Sequence, residues 1–177
     1  MKPFEELVLV NYCHSDCAPL RNIMRLPKDE AFSLARSLAA AHPDTTAFYR
    51  FADFENDYAL RTRQDAYLHA QFLKMGGQPE AAHPLSFVLE GSDYLRQWFA
   101  GGMETRLLLQ DIGAAHVSFT IGDSGAEFQR NGGVELLTVD MLCRRLQAHG
   151  GLRALLDAAG KHYVEAQLWS DRYTQSI

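Results

Sequence analysis

The sequence predicts an α+β fold: a single domain with a mixed or largely antiparallel sheet and helices packed on it. Three observations point there. Helical and strand-like segments are interspersed along all 177 residues. The strand-like segments of the middle region are joined by turns too short for the crossovers that parallel strands need. Apolar residues make up 47% of the chain, with ten Phe, seven Tyr and two Trp, enough for one substantial core. The 22% charged content is that of an ordinary globular protein and excludes wholesale disorder, collagen-like repeats and a coiled-coil rod.

The elements follow in chain order. Leu7 to Cys13 is aliphatic and short, as a buried strand would be. Pro27-Lys28-Asp29-Glu30 opens a helix, because proline and acidic residues suit a first turn whose N–H groups lack partners. Ala31, Leu34, Ala35 and Leu38 form its apolar face, and His42-Pro43 stops it. The longest helical pattern runs from Phe54 to Met75 and ends at Gly76-Gly77-Gln78-Pro79. Ser86 to Leu89 reads as a short strand, and Gly91-Ser92 caps a helix from Asp93 to Phe99 that Gly101-Gly102 closes. Thr105 to Leu109 and His116 to Ile121 are two further strands about a turn near Gly113. Asn131-Gly132-Gly133, between Phe128 and Val134 to Leu137, predicts a hairpin. Thr138 caps a helix that ends at Gly150, a second covers Leu152 to Ala159, and Tyr163 to Trp169 is a closing strand.

The net charge of −5 gives no electrostatic support for coating a nucleic acid. The longest aliphatic run, Leu7 to Val10, is far too short to cross a bilayer and lacks the flanks of a secretory signal. Three cysteines, Cys13, Cys17 and Cys143, are an odd and small number, which suits a reducing, cytoplasmic setting.

At 100° per residue, Phe54, Tyr58, Leu68, Phe72 and Met75 share one face of the long helix, and Arg61 and Asp65 fall in the middle of that stripe. Four residues apart, they are placed to touch each other. An unpaired buried charge is costly, so the pair is either an internal ion pair under aromatic cover or the lip of a cleft. In the second case Arg61 meets an anionic ligand and Asp65 orients the guanidinium.

Three other segments carry reactive side chains. Cys13, His14 and Cys17 offer three donors within five residues, but no second ligand pair follows, so no metal site is assigned. His14 remains a candidate catalytic group or a packed core histidine. Gly122-Asp123-Ser124-Gly125 resembles the motif around a trypsin-like serine and the Gly-Asp-Ser of certain lipases. Neither context fits this chain, so the residues read as a turn, with Asp123 and Ser124 open to lining a site. In the last strand, Val164, Ala166 and Leu168 alternate with Tyr163, Glu165, Gln167 and Trp169. Two aromatics with a carboxylate and an amide are unusual for mere solvent exposure, and the face reads as an ordinary half-exposed strand, a ligand wall or a subunit contact.

The stretch Gly76 to Leu89, with Ser118 to Ser124 and Val164 to Trp169, resembles a group of uncharacterised bacterial proteins with no assigned activity. A histidine after the first strand and a glutamate on a late strand are also similar to the layout of ADP-ribosyltransferase-type enzymes. That likeness implies that His14 holds the ribose of NAD and Glu165 acts at the reacting sugar.

The expected function is binding or transformation of a small anionic, nucleotide-like ligand. His14 and Glu165 are the candidate catalytic residues, and Arg61, Asp65, Asp123 and Ser124 the candidate ligand-binding residues; the cofactor stays open. The alternative is a non-catalytic protein–protein interaction module, such as a homodimer anchored by Trp98, Tyr163 or Trp169.

Overall fold

A computed structural model describes residues 2–175. Five strands, β1 (Val8–Cys13), β2 (Leu85–Leu89), β3 (Met103–Leu108), β4 (Val117–Ile121) and β5 (Val164–Leu168), form one sheet in the order β3-β1-β2-β5-β4. Every pairing between them is antiparallel, so the expected sheet type resolves to its antiparallel form. Six helices accompany it: α1 (Lys28–Ala41), α2 (Phe54–Lys74), α3 (Asp93–Trp98), α4 (Ser124–Asn131), α5 (Val139–His149) and α6 (Leu152–Ala159). The result is an α+β fold. Among the described residues, no helix is long and apolar enough to cross a membrane.

The two faces of the sheet differ in chemistry. Leu9, Phe87, Leu89, Phe119, Val164, Ala166 and Leu168 point to one face and meet Leu142, Leu146 and Leu155 of α5 and α6 in a dry core. The opposite face is covered by α2 and the helices around it, and much of it is polar. Register places Val88, Glu165 and Thr120 in one row across the sheet, and Ser86, Gln167 and Ser118 in the next. Gln167 and Ser118 are completely buried and bonded to each other. Gln167 also donates to Thr120, and the Trp169 indole donates to Ser118. A buried amide retains its hydrogen-bonding demand, and this ladder meets it within the protein.

Helix α2 lies over this polar face. Its C-terminal half packs Leu68 and Phe72 against Trp169 and Leu136, while Phe54 at its start packs on Ala31 and Ala35 of α1. On α1 the buried face is Ala31, Ala35 and Leu38; Leu34 is exposed, contrary to the helical-wheel expectation.

The predicted hairpin at Asn131-Gly132-Gly133 is instead the end of a helix. Asp123 accepts the Ala126 N–H at the start of α4, and Gly132, at φ +69°, closes it in the left-handed conformation. Asn-Gly suits both a hairpin turn and a helix C-terminus because each needs positive φ. The segment after the turn does join the sheet, but through Leu137 bonded to Phe119 of β4.

At the edge of the sheet, Gly102 lets the chain enter β3 beside the end of β1. A Cβ at this position would lie 2.1 Å from the Cys13 carbonyl oxygen. Backbone cannot give way as a flexible side chain can. Gly102→Ala is therefore expected to cost about 2 kcal/mol in urea unfolding, and a variant as stable as the parent contradicts this close approach.

Candidate functional site

Glu165 ties the sheet to α4. Its carboxylate accepts the Ser124 N–H at 2.7 Å and the Ser124 hydroxyl at 3.0 Å, at the first residue of that helix. Gln64 of α2 donates to the same Ser124 oxygen at 2.8 Å. Ser124 is almost completely buried, so it works as a bridge and not as an exposed nucleophile. Tyr163, two residues before Glu165 and just ahead of β5, directs its hydroxyl at Asp123 at 3.4 Å. Asp123 and Ser124, expected in a turn, thus become the cap and first residue of α4.

Burial pushes the Glu165 carboxyl up to about 7, and the nearby Asp123 carboxylate adds to the shift; the two bonds from Ser124 and one from Gln167 oppose it. The Ser124 hydroxyl suits either state, because it can donate to a charged carboxylate and accept from a neutral carboxyl. Tyr163 is held as a phenol, its pKa raised by burial and then by Asp123 and Glu165.

Arginines converge on the same region. Arg50, on the 3-10 turn Thr46–Asp53, bonds through Nε to the Tyr49 hydroxyl at 2.6 Å, and its guanidinium lies 5.4 Å from the Tyr49 ring centroid. One of its terminal nitrogens stands 4.0 Å from Asp57 of α2 and 3.6 Å from where a Gly125 side chain would begin. Asp57 is buried, and one of its oxygens has no hydrogen-bond partner among the described residues. Burial raises its pKa, while Arg61 and then Arg50 pull it back. Arg61, one turn on, donates to Asn22 at 3.0 Å, and Asn22 in turn donates to the Pro84 carbonyl ahead of β2. Two residues further, Ser86 is exposed although β2 is the central strand, so the helical cover leaves an opening there.

Arg61 and Asp65 do not bond to each other as expected. Asp65 is buried against His83 at 2.7 Å, which leaves Arg61 without a carboxylate within 4 Å among the described residues. The outer wall near Arg50 is aromatic. Tyr49 and Tyr94, both exposed, flank Trp98, and Tyr94 stacks on His162 at 4.7 Å. Tyr163 lies against Tyr94 at 6.4 Å.

His14 belongs to a separate cluster. It is buried against Phe48 and His42 and shares no bonding partner with Glu165. A groove of about 510 Å³ opens along β4 between Tyr67, Glu127 and Lys161. Its charges are already matched, Lys161 to Glu127 and Arg145 to Glu135, so it offers an incoming ion little.

Of the expected residues, the fold brings Asp123, Ser124 and Glu165 into direct contact, with Arg61 in the same polar layer and Asp65 and His14 bonded elsewhere. Arg50, Asp57 and Gln64 were missed. Asp57, Arg61 and Gln64 recur at intervals of four and three along α2, a signal already present in the helical periodicity.

The raised Glu165 has a consequence for stability. The unfolded chain loses this proton near the ordinary value of 4.5, whereas the folded chain keeps it to about 7. The stabilisation from the retained proton is full below pH 4.5 and is lost as pH rises through 7. Glu165→Gln keeps the shape without the proton. The stability of the parent relative to this variant should fall between pH 5 and pH 8, by at most about 3 kcal/mol in urea unfolding. Parallel pH profiles contradict the assignment.

Comparison with known proteins adds no relative, since no protein-family model, curated protein or solved structure matches the chain.

Proposed function

We propose that the polar layer beneath α2 binds a small anionic ligand carrying a planar, nucleotide-like ring. The observation that carries this reading is the pair of partly buried arginines, Arg50 and Arg61, flanking the buried Asp57. Neither has a carboxylate within hydrogen-bond reach among the described residues. A partly buried guanidinium with unused donors suits a phosphate or carboxylate, which it grips with two parallel bonds. Tyr49, Trp98 and Tyr94 provide flat surfaces beside Arg50 for the ring.

Glu165 supplies the chemistry. A carboxyl near neutrality can take a proton from a bound group or give one, and Ser124 and Gln64 hold it in place. Asp123 and Tyr163 complete the polar edge. Arg50 replaces Asp65 as Arg61's partner in recognising the anion.

Thermal unfolding in the presence of nucleoside monophosphates, nucleoside diphosphates, sugar phosphates and inorganic phosphate tests this. A probe at about a hundred times its dissociation constant raises the melting temperature by about 5 °C or more. Arg50→Ala and Arg61→Ala should each abolish the rise while retaining the parent's circular dichroism. No shift with any probe at millimolar concentration, or an equal shift in both variants, contradicts the proposal.

The exposed edge of β3 favours a second reading, as a homodimer. Met103 and Leu108 are exposed on this outer strand. Trp169 and Tyr163 cannot anchor such a contact, because both are buried within the chain; only Trp98 of the three expected anchors reaches the surface. A concentration-independent monomer in sedimentation contradicts this reading.

A further inference from the structure

His14, Asp16 and His42 converge at the end of β1, away from the residues assigned to the ligand. The tight turn after β1, closed by the Cys17 N–H on the His14 carbonyl at 2.9 Å, brings Asp16 back over His14. His42 arrives from the other side as the residue that ends α1, its N–H bonded to Leu38 and its carbonyl to Thr45. One donor atom from each of the three side chains lies within 4.8 Å of the other two. His42 Nε2 stands 2.8 Å from an Asp16 carboxylate oxygen, and the two imidazole rings are 4.6 Å apart. Phe48 packs against both rings, at 5.1 and 5.5 Å, and restricts how they turn.

We infer that His14, Asp16 and His42 form a binding site for a divalent transition-metal ion of the zinc type. Two imidazoles and one carboxylate are a borderline donor set that suits Zn²⁺ and disfavours Mg²⁺ or Ca²⁺, which prefer oxygen ligands throughout. Donors around tetrahedral zinc stand about 3.4 Å apart at bond lengths near 2.1 Å, so the widest separation, within 4.8 Å, closes by at most about 1.4 Å while the 2.8 Å His42–Asp16 contact opens slightly. Asp16 is exposed and His42 partly so, which gives them that freedom, while His14 is fixed by burial. The hydrogen bonds the metal displaces are modest: the Asp16 N–H reaches His14 Nδ1 at 3.2 Å, and His42 meets Asp16 at the surface.

The exposed side of the cluster leaves a coordination position to water, as in three-ligand zinc sites. The ion ties the β1 turn to the end of α1, and Phe48 connects that junction to the segment carrying Tyr49 and Arg50. The site stands independently of the anionic ligand, since none of its three ligands belongs to the Arg50–Asp57–Arg61 group.

Calorimetric titration of the full chain with Zn²⁺ tests it, with Mg²⁺ as the comparison ion. The expected result is one Zn²⁺ per chain at about micromolar affinity or tighter and no heat with Mg²⁺. Asp16→Asn and His42→Ala should each weaken binding at least about tenfold, while His149→Ala and Cys17→Ser leave it unchanged. Because Asp16 is an exposed turn residue, Asp16→Asn reports on the site even if His42→Ala disturbs the end of α1. Absence of Zn²⁺ binding overturns the inference, as does binding that survives both Asp16→Asn and His42→Ala. Loss of binding in Cys17→Ser, with both of those variants still binding, overturns it too by moving the metal to the cysteines.

Discussion

The carboxyl of Glu165 bonded to the first residue of α4 is the interaction around which the polar half of this protein is organised. It joins three elements, because Ser124 receives Gln64 of α2 on the oxygen that faces Glu165 of β5. A carboxyl at a helix start is favourable for the helix, whose first N–H groups are unpartnered. The same burial that makes the contact strong also opposes ionisation, so helix and solvent pull the proton in opposite directions. Burial and the neighbouring Asp123 outweigh the hydrogen bonds. The protein therefore holds, inside a wholly antiparallel sheet, a group poised to exchange a proton near neutrality.

The two faces of the sheet divide the labour. The α5–α6 face is apolar, and its burial is the main source of stability. The α2 face carries a polar ladder from Trp169 through Ser118, Gln167 and Thr120, which leads to Glu165. Polar groups at such depth do not improve on a packed hydrocarbon core, but once mutually satisfied they hold strands and helices in one arrangement. The exposed Ser86 in the central strand, Arg61 tethered beside it through Asn22, and Arg50 at the far side of Asp57 lie in this layer.

Much of the fold was legible because it rests on local rules. The first strand, both ends of α1, the long α2, the Ser92 and Thr138 caps and the last strand all follow from periodicity, proline and glycine placement and capping oxygens. Asn131-Gly132 misled because one dipeptide serves two structures that share positive φ; here the Asp123 cap starts a helix and Phe128 packs it on Tyr67. The alternation in Tyr163 to Trp169 did mark Glu165 and Gln167 as unusual, but their partners lie far away in sequence and no local pattern names them. Arg61 and Asp65 show the same limit: helical spacing allowed them to meet, and competition from Asn22 and His83 separated them. His42 as a neighbour of His14 depends on how α1 docks, a long-range fact.

Side-chain carboxyl titration of Glu165 by carbon-detected nuclear magnetic resonance tests the central claim most directly. The account predicts a midpoint near 7, sensed also by the Ser124 amide that donates to it. A midpoint near the ordinary glutamate value of 4.5 would mean that this carboxyl is solvated and charged, and would contradict the account.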